Sequence, residues 1–304
     1  MSRILYFITG PTAIGKSSLA IRLAEKINGV IINADSMQVY SNLKILTARP
    51  SKMDQDKIKH KLYGYVDGSK RYNVARWCND ILKIINDNKK NKIPSIIVGG
   101  TGMYIDSLLN GLINLPIITE TYKKQSENLL DDIGLNSFKK IITEFDEEAL
   151  TNISVNDTTR MRRIWEVYKS TGITLSEWKR NKNKIFIENL SYNILLFTPP
   201  RDEIYKNVNI RFNKMIKEGA IDEVKKLISL KLDTSLPVMR AHGVPEISNY
   251  LNNKLSIDEC IDKGQQVTRN YVKRQLTWWR SSSLRIHQAF KQFPNEIDEN
   301  MIKI

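Results

Sequence analysis

Gly10-Pro11-Thr12-Ala13-Ile14-Gly15-Lys16-Ser17 is a complete G-x-x-x-x-G-K-S phosphate loop, and it directly follows the apolar run Ile4-Leu5-Tyr6-Phe7-Ile8. That order dictates a buried strand, a turn whose backbone N–H groups wrap phosphate oxygens, and a helix aiming its positive end at them. The helix has its own support, because Leu19, Leu23 and Ile27 recur on one face with Ala20 and Ala24 beside them. All eight loop residues are therefore candidate ligands of a phosphorylated molecule. Lys16 supplies a mobile charge, and the Ser17 hydroxyl is placed to bind Mg²⁺.

The rest of the chain continues an α/β pattern. Strand-like runs cover Ile4–Thr9, Val30–Ala34, Ile93–Val98 and Tyr192–Thr198, with helical stretches at about 16–28, 73–90 and 102–110. Such alternation predicts a mostly parallel sheet with flanking helices. Between about 115 and 189 strand patterning disappears, and helical periodicity takes over at 121–131, 135–144 and 157–171. Further helices are expected at 201–217, 219–230, 256–263 and 265–283. The expected fold is P-loop NTPase-like α/β, with a core from 1–114 and 190–304 and an all-helical insertion at 115–189. A chain of 304 residues, 41% of them hydrophobic, can bury such a core.

Other classes fall away. No apolar run approaches a membrane span, and the apolar N-terminus is too short for a signal peptide. Cys78 and Cys260 lack His partners at zinc spacing and suit a reducing cytoplasm. The net charge of +14 is concentrated: six Lys or Arg and no acid from Gly264 to Lys291, and eight against two Glu from Thr158 to Lys184. Aromatics interleave with both tracts (Trp165, Tyr168, Trp178; Tyr271, Trp278, Trp279). This is the footprint of a nucleic-acid partner, against the plainer reading of a solvated basic face.

Two further elements lie at strand ends. Asp35, in Asn33-Ala34-Asp35-Ser36-Met37-Gln38-Val39-Tyr40, is placed to hold Mg²⁺ through water, to take a proton, or simply to cap a helix. Gly99-Gly100-Thr101-Gly102 either lets backbone approach a ligand or makes a plain turn, with Thr101 its one hydroxyl. Thr47-Ala48-Arg49-Pro50 adds a cation and a rigid exit.

Taken in order, these segments resemble the tRNA dimethylallyltransferase family. The resemblance rests on residues 10–17, Asp-Ser-Met-Gln-Val-Tyr at 35–40, Thr-Ala-Arg-Pro at 47–50 and Gly-Gly-Thr-Gly-Met-Tyr at 99–104. It continues through Gly-Leu-x-x-Leu-Pro at 111–116, Arg-x-x-Arg-x-x-Glu-Val at 160–167 and Thr-Arg-x-Tyr-x-Lys-Arg-Gln-x-Thr-Trp at 268–278. It covers nearly the whole chain and implies transfer of a dimethylallyl group from its diphosphate to the exocyclic amine of the adenine 3′ of the anticodon.

The resemblance assigns roles. It makes the molecule held by residues 10–17 a diphosphate. Asp35 is the base, Thr101 positions the acceptor or contacts the diphosphate, and Arg211 lies near the diphosphate unless it is an ordinary surface helix arginine. Mg²⁺ on Ser17 and Asp35 is the expected cofactor. The tRNA anticodon stem-loop and dimethylallyl diphosphate are the expected partners, with no membrane and a monomeric state. Candidate tRNA contacts are Asp35, Ser36, Met37, Gln38, Thr101, Thr159, Arg160, Met161, Arg162, Arg163, Arg240, Gly243, Arg269, Lys273 and Arg280. Arg269, Lys273 and Arg280 fall on one helical ridge beside an apolar stripe of Val272, Leu276 and Trp279. Met161, Ile164, Trp165 and Tyr168 form an apolar face that also reads as core. One departure stands out: Val244 and Pro245 follow Gly243 where the family commonly has tyrosine and a basic residue, so an RNA contact is lost or shifted. His242 receives no role. The alternatives are prenylation of free adenine nucleotides, which needs neither the insertion nor the basic last helix, and a P-loop small-molecule kinase, where the 268–278 segment has no place.

Overall fold

The computed structural model describes residues 5–113, 115–151, 153–180, 184–185 and 191–302. Ile4 and the expected boundaries at 114 and 190 lie outside these residues. In chain order the elements are β1 (Leu5–Thr9), α1 (Lys16–Ile27), β2 (Val30–Asn33), α2 (Lys52–Lys57), β3 (His60–Lys61), α3 (Val74–Lys90), β4 (Ser95–Gly99), α4 (Gly102–Asn110) and β5 (Leu112–Ile113). They continue as α5 (Glu120–Leu150), α6 (Thr158–Thr171), α7 (Leu175–Arg180), β6 (Lys184–Ile185), β7 (Tyr192–Phe197), α8 (Arg201–Lys217), α9 (Ala220–Ser229), α10 (Val244–Leu251), α11 (Ile257–Ser281) and β8 (Gln288–Phe290).

Among the described residues the main sheet has the order β3-β2-β4-β1-β7-β8, and every neighbouring pair is parallel. Strand β1 is buried at all five positions, as an unbroken apolar strand covered on both faces must be. Thr9 pairs with Gly99 on one side and Leu196 on the other, so the strand ends meet level at the carboxyl edge. That edge is where an open α/β sheet collects ligands.

The carboxyl-terminal segment, read from sequence as helices alone, adds β8. Three residues carry too little periodicity to be seen, yet Phe290 stacks on Phe197 with centroids 4.8 Å apart. Beyond β8 the chain returns to α1. Arg22 donates to Glu299 and to the carbonyls of Pro294 and Ile297, while Ile297 and Ile302 enter the core beside Leu19 and Leu23.

The helices expected at 256–263 and 265–283 are one helix, α11, started by a Ser256–Glu259 capping box. Gly264 does not break it. A β-carbon there would collide with the Phe212 ring of α8, so the glycine permits close helix approach.

By contact the chain divides into one unit of Met1–Asn110 with Ile187–Ile304 and a second of Gly111–Phe186. In the second, α5 spans both helices expected at 121–131 and 135–144. Its backbone leaves helical geometry at Gly134 (φ 74°) and again at Asp146. Phe138, Ile142, Met161, Ile164 and Trp165 form this unit's own core. The expected all-helical character is corrected by the antiparallel pair β5–β6, two residues a side and too short for a sequence signal.

Candidate active site

The phosphate loop leaves β1 through Gly10, whose φ of 142° and closeness to the Phe197 carbonyl exclude a side chain. Ala13 (φ 65°) and Gly15 (φ 83°) turn the chain into α1, which begins at Lys16 without a side-chain cap. The free N–H groups of that first turn and the helix dipole therefore face the loop's concavity. Lys16 Nζ donates to the Pro11 carbonyl at 2.5 Å. Burial holds its ammonium down to about 7; Asp35 works against this shift and Arg211 adds to it.

Arg211 comes from α8, and its Nη2 donates to Thr12 Oγ1 at 2.8 Å. Burial brings its guanidinium down to about 10, opposed by Asp35. The two sequence readings of Arg211 thus resolve: it lines the phosphate recess with Lys16 and Ser17.

Asp35 follows β2, held by a polar knot. The fully buried Asn33 accepts from Asp35 N at 2.8 Å and donates to the carbonyls of Asp35 and Leu62 at 2.9 and 3.0 Å. Trp77 Nε1 donates to the Asn33 carbonyl. Asp35 Oδ1 accepts from the N–H groups of Met37 (2.8 Å) and Gln38 (3.3 Å), which fastens a turn; no helix starts there, so the helix-capping reading is corrected. Among the described residues no hydrogen bond falls on Oδ2, which leaves one carboxylate oxygen for chemistry. The phenols of Tyr63, Tyr104 and Tyr271 are pushed up, first by burial and then by Asp35, and stay protonated.

Gly99 and Gly100 of the glycine turn line the recess with Lys16 and Ser17. The turn's glycines also serve protein packing: a β-carbon at Gly99 would meet the Ala34 carbonyl, at Gly100 the Gln275 amide, and at Gly102 the Trp278 indole. Gln275 is the residue the sequence reading missed. Its Oε1 accepts from Thr12 N at 2.9 Å and its Nε2 donates to the Gly100 carbonyl at 3.0 Å, joining two loops through the last helix. The available signal was its place in the α11 stripe Thr268, Val272, Gln275, Trp279, where a polar residue faces inward. Thr101 Oγ1 is buried without a well-formed hydrogen bond and lies next to the Tyr271 phenol.

Two recesses share Thr12, Asp35 and Arg211 as a common wall. One carries Lys16, Ser17 and Gln38. The other carries Ser36, Met37, Phe212, Arg240 and His242. His242 packs 4.8 Å from the Tyr271 ring, and burial, then Arg274, lowers its imidazole pKa. Among the described residues no three His, Cys, Asp or Glu cluster as a metal centre. The Ser17 hydroxyl and the Asp35 carboxylate on one recess are a donor set that suits a largely hydrated Mg²⁺ shared with phosphate oxygens.

Several expected RNA contacts have other duties. Met161 is 1% exposed in the insertion core and is unavailable to RNA. Arg162 donates to Ser126 and to the Lys123 carbonyl and pairs with Glu127 at 3.5 Å; Arg163 pairs with Glu166 at 3.9 Å. Arg160 is exposed beside Asp157, and Thr159 lies with it in the first turn of α6. Arg269 is tied to Asn209 and Gln266, whereas Lys273 and Arg280 stand exposed on α11. Gly243 (φ 96°) caps α10 against Leu46. Val244 is buried at 1%, and Pro245 occupies the first turn, where its missing N–H is harmless.

Replacing Gln275 by Leu orphans the Thr12 N–H and the Gly100 carbonyl, and is expected to lower unfolding free energy by about 2–4 kcal/mol. Gln275→Glu retains the acceptor and falls between. Urea titration reads both; two variants as stable as the parent would show that this bridge holds nothing.

Comparison with known proteins follows the same geometry. The family described as IPP transferase matches residues 38–282, and that described as isopentenyl transferase matches residues 3–71. The chain is 39% identical to the tRNA dimethylallyltransferase of Ehrlichia canis, over 97% of this chain and 94% of that protein. It is 42% identical to that of Ehrlichia ruminantium, over 98% and 94%. Among solved structures, the tRNA isopentenylpyrophosphate transferase of Bacillus halodurans superposes with a TM-score of 0.69 at 29% identity, covering 98% and 92%. A eukaryotic dimethylallyltransferase described as acting on tRNA gives 0.75 at 27% identity, covering 91% of this chain and 70% of that one.

Proposed function

This chain belongs to the IPP transferase family, the tRNA dimethylallyltransferases, and from that premise we infer its reaction in detail. It transfers a dimethylallyl group from dimethylallyl diphosphate to the N6 amine of the adenine 3′ of the anticodon, in tRNAs that read U-starting codons. The observation that carries this reading is the shared wall of the two recesses. There Asp35, with one oxygen outside its turn's hydrogen bonds, lines a recess bearing Lys16 and Arg211.

The chemistry follows from charge. The donor C–O bond breaks, the adenine nitrogen forms the new C–N bond, and diphosphate departs. Lys16, Arg211 and the N–H groups of the loop offset the negative charge that grows on the leaving group. The adenine nitrogen becomes positive unless it loses a proton, and Asp35 Oδ2 accepts it. Gln38 borders the same space, whereas Thr101 lines neither recess and lies beside the Tyr271 phenol. Ser17 and Asp35 would hold Mg²⁺, which when bound would further neutralise the diphosphate. To reach the recess the adenine must leave its stack, a cost of a few kcal/mol that an anticodon loop keeps small. Lys273 and Arg280 on α11, and Arg160 on the insertion, are the exposed cations offered to RNA phosphates. A kinase reading has no support from the site, which uses its basic last helix to fasten the phosphate loop.

The test is transfer from labelled dimethylallyl diphosphate to unmodified tRNA. Asp35→Asn is expected to slow single-turnover transfer by about 10²–10⁴-fold while tRNA affinity stays within a few fold. Turnover near the parent rate would remove Asp35 from proton transfer.

Lys16 gives a pH prediction. Free, its amine titrates at about 7 and is mostly neutral at about pH 8; a bound diphosphate favours the ammonium, so binding takes up a proton there. Calorimetry of inorganic diphosphate in buffers of differing ionisation enthalpy reads this uptake. The Lys16→Arg variant, always charged, is expected to lack it. Equal uptake in parent and variant would assign the titration to another group.

A further inference from the structure

The turn at residues 44–48 has no sequence of its own that holds it against the recess, and the structure supplies the fastening from α9, almost 180 residues later. Glu223 Oε1 accepts from the backbone N–H groups of Lys44 (2.6 Å) and Ile45 (2.9 Å), and Oε2 from that of Leu46 (3.0 Å). One carboxylate thus occupies three successive amides, a charge-assisted arrangement stronger than neutral hydrogen bonds. The turn then closes on itself through Ala48 N to the Ile45 carbonyl, Arg49 N to the Lys44 carbonyl and Thr47 Oγ1 to the Leu43 carbonyl. Ala48 is held at φ 51°, a left-handed conformation that an alanine keeps only when its surroundings impose it.

The far side of the turn presents two carbonyls, and both are used. Gln38 Nε2 donates to the carbonyls of Thr47 (2.8 Å) and Ala48 (3.1 Å). With both amide protons spent, the side-chain orientation is fixed, and Oε1 is the remaining acceptor of a side chain whose residue lines the recess that contains Asp35. Leu46 and Thr47 themselves line the neighbouring recess. Gln38 N also donates to Asp35 Oδ1, so the amide and the carboxylate are set by one local framework.

We propose that Glu223 is a positioning residue for the acceptor base: through the 44–48 turn it sets the direction of Gln38, whose Oε1 accepts a hydrogen bond from an exocyclic amine. Glu223 touches neither substrate. The inference rests on the transfer reading above, and it adds that selection of an amine-bearing base depends on an acid outside the recess. The chemistry follows from the donor and acceptor count. An amide with both protons committed offers only an acceptor, which suits adenine, with its N6 amine, and rejects a purine that presents a carbonyl at the same edge.

The experiment compares the parent, Glu223→Ala, Glu223→Gln, Gln38→Ala and the Gln38→Ala/Glu223→Ala double variant, using full-length protein, dimethylallyl diphosphate and unmodified tRNA. Glu223→Ala is expected to slow single-turnover transfer by about 10–100-fold, as small misplacements near reacting atoms do. Affinities for tRNA and for the donor are expected to stay within a few fold of the parent. Glu223→Gln, which keeps one of the two acceptor oxygens and loses the charge, falls between and covers the case in which the alanine variant fails to fold. The double variant is expected to be no slower than the slower single variant, because both changes cut one chain of contacts. Hydrogen exchange, which needs no activity, is expected to speed up at the amides of Lys44, Ile45 and Leu46 in both Glu223 variants.

Multiplicative losses in the double variant would overturn the proposal by giving Glu223 an independent structural effect. Parental transfer rates in both Glu223 variants, or unchanged exchange at the three amides, would overturn it too. A parent that transfers nothing to tRNA would instead sink the transfer reading, and the exchange result would still decide whether Glu223 holds the turn.

Discussion

Closure of α11 over the phosphate loop is the contact on which the rest of the site depends. A phosphate loop must keep its N–H groups pointed inward when no ligand is there to hold them, and here Gln275 takes over part of that task. It binds Thr12 N of the loop and the Gly100 carbonyl of the next strand end with a single amide. Everything that lets α11 come so close is a small residue: Gly100 beneath Gln275, Gly102 beneath the Trp278 ring, and Gly264 against Phe212. Phe212 in turn belongs to α8, which carries Arg211 to Thr12. Packing at the carboxyl edge of the sheet therefore places a cation and a loop with the same contacts.

The electrostatics follow from that closure. Lys16 and Arg211 are brought near each other in a poorly solvated space, which lowers both, and Asp35 offsets part of the cost. Such a site is strained in charge until an anion arrives, which is what a site for a charged leaving group requires. Asp35 is kept ready by division of labour between its oxygens. One is consumed in the turn at Met37 and Gln38, and the other stays open. The surrounding phenols remain neutral donors and do not compete for the proton.

Much of the fold was legible because its long elements carry strong patterns. The strands β1, β2, β4 and β7 and the helices α1, α3 and α4 match apolar runs or helical stripes within a few residues. The two-residue strands β3, β5 and β6 and the six-residue helices α2 and α7 carry neither an apolar run nor enough positions for a helical period to emerge. The phosphate loop and the place of Asp35 at the end of β2 were legible because both lie in local sequence. Gln275 and Glu223 were not, since each acts across 263 and about 178 positions, respectively, and spacing along one element says nothing of such partners. The packing duty of the glycine turn was hidden for a related reason. A glycine beneath an indole and a glycine beneath a ligand look identical in a sequence. Helical spacing likewise grouped Arg269 with Lys273 and Arg280, but only the fold reveals Asn209 waiting beside it.

The central claim is that this phosphate loop serves a diphosphate leaving group for alkylation of one tRNA base. Incubating the protein with dimethylallyl diphosphate, Mg²⁺ and an unmodified tRNA that reads U-starting codons, followed by nuclease digestion and mass mapping, tests it directly. The account predicts the mass of one dimethylallyl group on the adenine immediately 3′ of the anticodon, with no requirement for ATP. An unmodified tRNA, a product alkylated elsewhere, or transfer that proceeds only with ATP would contradict it.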